Sequence, residues 1–428
     1  MTKTKKIIIF VVVVIMIGLA GWWIYSKNTN TDVRVGNSGF SIKNFFPFGQ
    51  APENTTNQNN GGENGTSGNN SSGSTSNTDN NSNRDAVNVP IKKLRKLWDK
   101  PVAGTVMWSK LGTSTIRFVE KATGNVYEAR SDLAQVKRLT NNTIPKIMRA
   151  FWLPDGSGFL AQTVDENEII NTSFIKWKLS ASSTSGSIPY NVLVSKLPTG
   201  IMELSVAPDS KKIFYLTALG TAKGFVSNPD GTNPTQIYSN YLTEWIPNWF
   251  GDKILLSSKA SFSAISSGFF LNPNTKTLVK AYDNISGASA LSRVDGKFVL
   301  LGSGGDSYGI SPKLWVENVS TGSVSPLNIE TFAEKCAWNK ADSKFIFCGV
   351  PKTIGSGNYP DSWYQGSLST DDIIQKINVF DLYRYVLVDL SRESSEQIDT
   401  ENLMASSDGN FLIFQNKLDQ SLWLLDTR

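Results

Sequence analysis

Few residues in this chain of 428 are of the types that usually do chemistry, and one type is missing. There is no His. That removes Ser-His-Asp and Cys-His nucleophile pairs and the commonest metal ligand. Two cysteines cannot build a four-thiolate zinc site. Acid–base work would therefore rest on carboxylates, Lys or Tyr. The run Gly302-Ser303-Gly304-Gly305-Asp306 is not followed by Gly-Lys-Ser/Thr, so it is no phosphate loop. Asp165, Glu166 and Glu168 lack calcium-loop spacing. No Asp-box of the sialidase kind is present, and no two carboxylates stand out as a hydrolytic pair. No metal and no cofactor are implied, and the chain is read as non-enzymatic.

What remains is a set of loop aromatics and a pair of thiols. Between Cys348 and Ile373 lies GVPKTIGSGNYPDSWYQGSLSTDD, which carries Tyr359, Asp361, Trp363, Tyr364 and Gln365. Tyr308 sits in a second Gly-rich excursion, GSGGDSYG. Aromatics on loops of a rigid scaffold form binding sites, so these six residues are the candidate binding set. The competing reading folds Trp363 and Tyr364 back to cover their own sheet or to plug a channel mouth. Cys336 and Cys348 stand six residues on either side of Asp342. In a regular hairpin they face each other within disulfide range. Two buried free thiols acting as small apolar residues are the alternative.

The elements that would position these residues recur. A turn-then-strand signal occurs six times: WLPDGSGFLAQ from Trp152, VAPDSKKIFYL from Val206, WFGDKILLSS from Trp249, LSRVDGKFVLL from Leu291, WNKADSKFIFC from Trp338 and MASSDGNFLIF from Met404. The strands after the turns begin at Phe159, Ile213, Ile254, Phe298, Phe345 and Phe411, spaced 54, 41, 44, 47 and 66 residues apart. Four-stranded propeller blades repeat at about 40–50 residues. A further unit spans Val102 to Leu139. The expectation is an all-β propeller of four-stranded antiparallel blades, seven in number, with six as the alternative. The last unit has room for three strands, so a strand from the other end of the domain must complete it, and Val87–Ile91 is the candidate. The turn residues Asp155, Asp209, Asp295 and Asp408 follow from turn chemistry alone. The loops after each second strand share one face of the ring, which puts 302–309, 349–372 and 165–171 together.

VAPDSKKIFYL followed by NPDGTNPTQIYS resembles the TolB-type, WD-like repeat, with the best agreement over 202–241. The resemblance implies a propeller fold. It implies no partner, because TolB proteins are soluble and this chain begins with an apolar run.

That run, residues 7–25, has no charge and follows Lys3, Lys5 and Lys6 in a stub of residues 1–6. It is long enough to span a bilayer, and Trp22, Trp23 and Tyr25 suit the far interface. It reads as a signal-anchor with the N-terminus inside; cleavage after Ala20 is the rival. A juxtamembrane segment, 26–49, carries a Phe cluster. Of the 35 residues from 50 to 84, 27 are Asn, Ser, Gly or Thr, which reads as a disordered linker. The propeller would occupy 85–428. IKKLRKLWDK, Ile91–Lys100, is either a basic membrane-surface patch or a solvated segment leading into the closing strand. A net charge of +5 is too diffuse to argue for nucleic acid. The expected protein is a membrane-anchored, extracytoplasmic scaffold of the cell envelope that binds a protein or glycan partner. A carbohydrate-active enzyme using Asp/Glu in the central channel, and an envelope-complex assembly factor, are the alternatives.

Overall fold

The computed structural model describes residues 92–428 apart from 142, 180–189 and 305–310. The expected stub, anchor, juxtamembrane segment and linker, as well as Val87–Ile91 and Tyr308, lie outside the described residues. Among the described residues no helix is long and apolar enough to cross a membrane.

The described chain forms 28 strands in seven four-stranded antiparallel sheets, the blades of a propeller. Blades 1 to 6 are each a continuous meander: 102–138, 147–196, 201–240, 245–286, 289–326 and 336–389. Blade 7 takes three strands from 400–426 and its fourth, outermost strand from Leu94–Trp98. Leu94 pairs with Leu425 and Trp98 with Leu422, so the two ends of the domain close the ring. The ring has no open junction, and this removes the long unpaired edges that an open stack would expose.

The closing strand therefore begins seven residues later than Val87, inside the segment read as a basic patch or solvated leader. Its register alternates: Leu94 and Leu97 are buried in the two neighbouring cores, and the basic residues between them are engaged. Arg95 donates to the carbonyls of Arg130, Ser131 and Leu133 in blade 1. Lys96 pairs with Glu396 and lies 5.0 Å from the Trp423 ring centre. A half-buried edge strand with one apolar row is what the sequence there encodes.

Seven apolar clusters hold the blades, one at each junction, including the closing one between blades 7 and 1. Second strands of blades 3 to 7 carry apolar runs because each faces two neighbours. In Ile213-Phe214-Tyr215-Leu216, Ile213 and Tyr215 pack toward blade 2 while Phe214 and Leu216 pack toward blade 4. The large residue before each turn seats on the adjoining blade. Trp152 Nε1 donates to Gly104 O at 3.1 Å, and Trp338 Nε1 donates to Leu291 O at 3.2 Å. The turn carboxylates cap their own turns: Ser157 N donates to Asp155, Lys211 N to Asp209, Lys297 N to Asp295 and Asn410 N to Asp408, at 2.9–3.2 Å.

First strands lie innermost, side by side with the first strands of adjoining blades, as in the pairs of blades 1 and 2 and of blades 6 and 7. Gly104 shows how closely they approach, since a Cβ there would stand 2.0 Å from Ala150 O. Because first and second strands are antiparallel, loops leaving the second strands emerge where the first strands begin. That end of the ring is the mouth face.

Candidate functional site

The mouth face is built in two parts that share one wall, Asp399-Thr400-Glu401 at the start of blade 7's first strand. One part is a loop packed down on the ring, with a pocket of about 530 Å³ beside its Thr353 and Asp371 ends, and the other holds a cavity free of that loop.

The closed part is the long loop of blade 6, residues 352–371. Its short helix, Asp361–Tyr364, lies across the face rather than standing up from it. Asp361 Oδ2 accepts from Phe262 N at 2.6 Å and from Ser261 Oγ at 3.2 Å in a loop of blade 4. Gly304 of blade 5 meets the Tyr359 carbonyl so closely that a Cβ would come within 2.0 Å. Tyr359 and Trp363 are fully buried and Tyr364 nearly so. With Phe332 and Ala260 they form a core of their own. Trp363 stacks on Phe332 at 4.9 Å and 14°. Three of the six candidate binding residues thus do not face solvent. They are the packing surface of a plug, because an aromatic Gly/Pro-rich loop buries more apolar area lying down than standing in water. Gln365 is exposed and Asp361 half-buried.

Under the plug lies a charge cluster. Lys335, Asp372 and Asp399 are all fully buried. Lys335 Nζ donates to Asp372 Oδ2 at 2.7 Å, to Asp399 Oδ1 at 2.5 Å and to Thr370 Oγ1 at 2.6 Å, which uses all three of its protons. Asp372 Oδ2 also accepts from the Thr400 amide and hydroxyl. Asp399 accepts from Trp363 Nε1 at 3.0 Å on each oxygen and from the Thr370 amide. Burial alone would drive the Lys335 ammonium down; Asp372 and Asp399 together outweigh it and hold its pKa above 10.5. Two carboxylates share a cation here, yet every oxygen is occupied and water is excluded. Such a pair is a staple between blades 6 and 7, with no room for a substrate between its members. Beside it, Tyr364 donates to Glu334, whose carboxyl burial pushes up.

The disulfide stands in the same blade. Cys336 and Cys348 pair directly across the first hairpin, are bonded, and have Cα atoms 4.1 Å apart.

The open part is a cavity of about 420 Å³ at the starts of the first strands of blades 1, 2 and 7. Its polar lining includes Lys121, Arg149, Glu401, Asn402, Gln415 and Gln420. Ala150, Phe151, Leu403 and Met404 supply apolar wall. No residue of the long loop lines it. Arg149 is held by Glu203 at 3.1 Å and by Gln162. Lys121 Nζ donates to Gln420 Oε1 at 3.0 Å. Burial lowers the Lys121 pKa, and Glu401 opposes that fall. Gln415 spends its amide on Val102 O and accepts from Asn402. A register irregularity between Glu401 and Met404, with Asn402 at φ 53°, turns the strand at this point.

Among the residues lining this cavity, Glu401 has the buried side-chain oxygen that lacks a partner. It is 5% exposed, and Oε2 is buried with no hydrogen bond. Burial pushes its carboxyl up to about 7, against the pull of Lys417, with Asp399 adding to the rise. A nearly enclosed carboxyl with a spare oxygen, on the wall of a cavity, is the chemically reactive point of this face.

Inspection of single residues in the sequence missed Glu401, Arg149 and Lys335, although the repeat carried a signal. Three positions before the large residue of each unit stand Arg149, Glu203, Ile246, Ala288, Lys335 and Glu401. Four of these six are charged where an inner strand begins, a poor place for an unpaired charge.

The sequence matches no known protein-family model and no curated protein. Solved structures do resemble it. An oligogalacturonate lyase in complex with manganese aligns at 10% identity over 78% of this chain and 93% of its own, with a TM-score of 0.53. The hydrazine synthase of Kuenenia stuttgartiensis aligns at 12% over 81% and 99%, with a TM-score of 0.50. TolB from Acinetobacter baumannii aligns at 13% over 62% and 59%, with a TM-score of 0.40, and nothing is built on it. Among the described residues no group of three His, Cys, Asp or Glu is placed to hold a metal ion. The likeness is one of fold: the chain is a seven-bladed β-propeller of four-stranded antiparallel blades.

Proposed function

We propose that this propeller is a non-catalytic binding scaffold of the cell envelope, tethered by residues 7–25 and the linker 50–84 and engaging a protein or glycan partner through its mouth face. One observation supports this reading over hydrolysis. The two carboxylates that share a buried cation on that face, Asp372 and Asp399, are locked on Lys335 with every oxygen bonded, whereas acid–base hydrolysis needs an accessible pair flanking a substrate. The Glu401 carboxyl, nearly enclosed, lines its cavity beside amides and cations, an arrangement suited to holding a ligand. Propellers serve enzymes and binders alike, so the site and not the fold supports the reading.

Two measurements test it. Protease added to intact spheroplasts should degrade the 92–428 domain, and the domain should sediment with membranes. Protection from protease, or recovery in the soluble fraction, contradicts the address. Short-spacer crosslinking in whole cells should trap a reproducible partner on the full chain; trapping none contradicts the scaffold role.

A further inference from the structure

We propose that the cavity between blades 7, 1 and 2 is a binding site for a neutral polyhydroxylated ligand, one glycan residue, whose hydroxyl hydrogen-bonds the Glu401 carboxyl. The inference rests on the scaffold reading above and names the ligand class of its site.

Four features of the cavity point the same way. At about 420 Å³ it lies within the range of small-molecule sites, roughly 300–1,000 Å³. Its wall includes the Glu401 carboxyl, whose hydrogen-bonding capacity is not filled, since Oε2 has no partner. That deficit is one a hydroxyl satisfies. Its lining combines polar residues, Lys121, Gln415 and Gln420, with apolar ones, Ala150, Phe151 and Leu403. A pyranose has the same two-sided character, with hydroxyl edges and C–H faces. Formal charge also balances locally, with Lys121 and Arg149 set against Glu401 and Glu203. A cation entering the cavity meets Lys121 on its wall, and an anion meets Glu401 once that carboxyl ionises. A neutral donor meets neither. The plug leaves this part of the mouth uncovered and shares the Asp399-Thr400-Glu401 wall with it, so the site is held by a rigid support.

The test uses the full chain in detergent and titrates cellotriose, maltotriose, chitotriose and mannotriose by calorimetry, with trigalacturonate and trilysine as charged controls. The expected result is saturable binding of at least one neutral trisaccharide. Glu401→Ala should weaken it at least tenfold, and Glu401→Gln, which keeps an acceptor and the side-chain shape, should weaken it less. Thermal melts of both variants report folding separately. Binding of none of the four, binding unchanged in Glu401→Ala, or preference for a charged control overturns the inference. Failure here is distinguishable from failure of the scaffold reading: crosslinked capture in cells that persists in Glu401→Ala keeps the scaffold and removes the glycan.

Discussion

Glu401 and Lys335 are both buried charges, and their surroundings set them apart. Lys335 has every proton bonded, whereas Glu401 has an oxygen with none. Their predicted behaviour differs accordingly. Burial keeps the native Glu401 carboxyl protonated up to about pH 7, against 4.5 for an ordinary Glu, with Asp399 adding to the rise and Lys417, Lys335 and Lys121 opposing it. Between those values the native state binds more protons than the unfolded chain. The contribution of this group is therefore fully present below pH 4.5 and is lost as pH rises toward 7. Glu401→Gln should raise stability at pH 8 by at most about 3 kcal/mol and change little at pH 4.5, as read by denaturant melts at the two pH values. An equal effect at both would remove the carboxyl from this role. Lys335→Met should cost about 3–5 kcal/mol, because Asp372 and Asp399 are left buried without their cation. Adding Asp372→Asn and Asp399→Asn should recover most of the loss. A triple variant as unstable as the single would mean that packing, and not charge, is what Lys335 supplies. The aromatic residues of the long loop were legible in the sequence as a set, but their direction was not. Whether Trp363 points to solvent or to Phe332 depends on Asp399, 36 residues away, and local spacing does not carry that information.

At the scale of the element, the cassettes were readable because second strands are buried on both faces and five of them follow a turn whose Asp bonds its own backbone. The outer strands were harder to read, since their exposed edges carry a weaker pattern. Leu94–Trp98 is the clearest case: Arg95 and Lys96 made it look like a surface patch, although both are spent on blade 1 and on Glu396. Its removal is a direct test of closure. A chain beginning at residue 92 should melt as cooperatively as the longer protein. One beginning at residue 101 should lose at least about 3 kcal/mol, given that Leu94 and Leu97 leave their cores at roughly 1.5–3 kcal/mol each. Identical melts would mean the closing strand is dispensable. The Cys336–Cys348 bond belongs to this scale too. It joins two strands already paired and closes a short loop, so reduction should lower stability by about 2–3 kcal/mol without opening the blade. Reductant that left the melt unmoved would show that the bond adds nothing to the hairpin.

For the whole molecule, seven junctions and one closing strand make a rigid ring. Its mouth face is half plugged by the blade 6 loop and half open above Glu401. Repeat spacing revealed the ring, since each blade repeats the same demand for two buried faces. It could not reveal the face, because charges three positions before the large residue acquire meaning only when neighbouring inner strands bring them together. The central claim is that partners meet the mouth face, and the most direct measurement is photocrosslinking in cells from single positions on the two faces. A photoreactive residue at Gln365 or Asn402, both exposed on the mouth face, should capture the partner. One at Leu111, 96% exposed on a first-hairpin tip of the opposite face, should capture nothing. Capture from Leu111 with none from Gln365 or Asn402 would contradict the account.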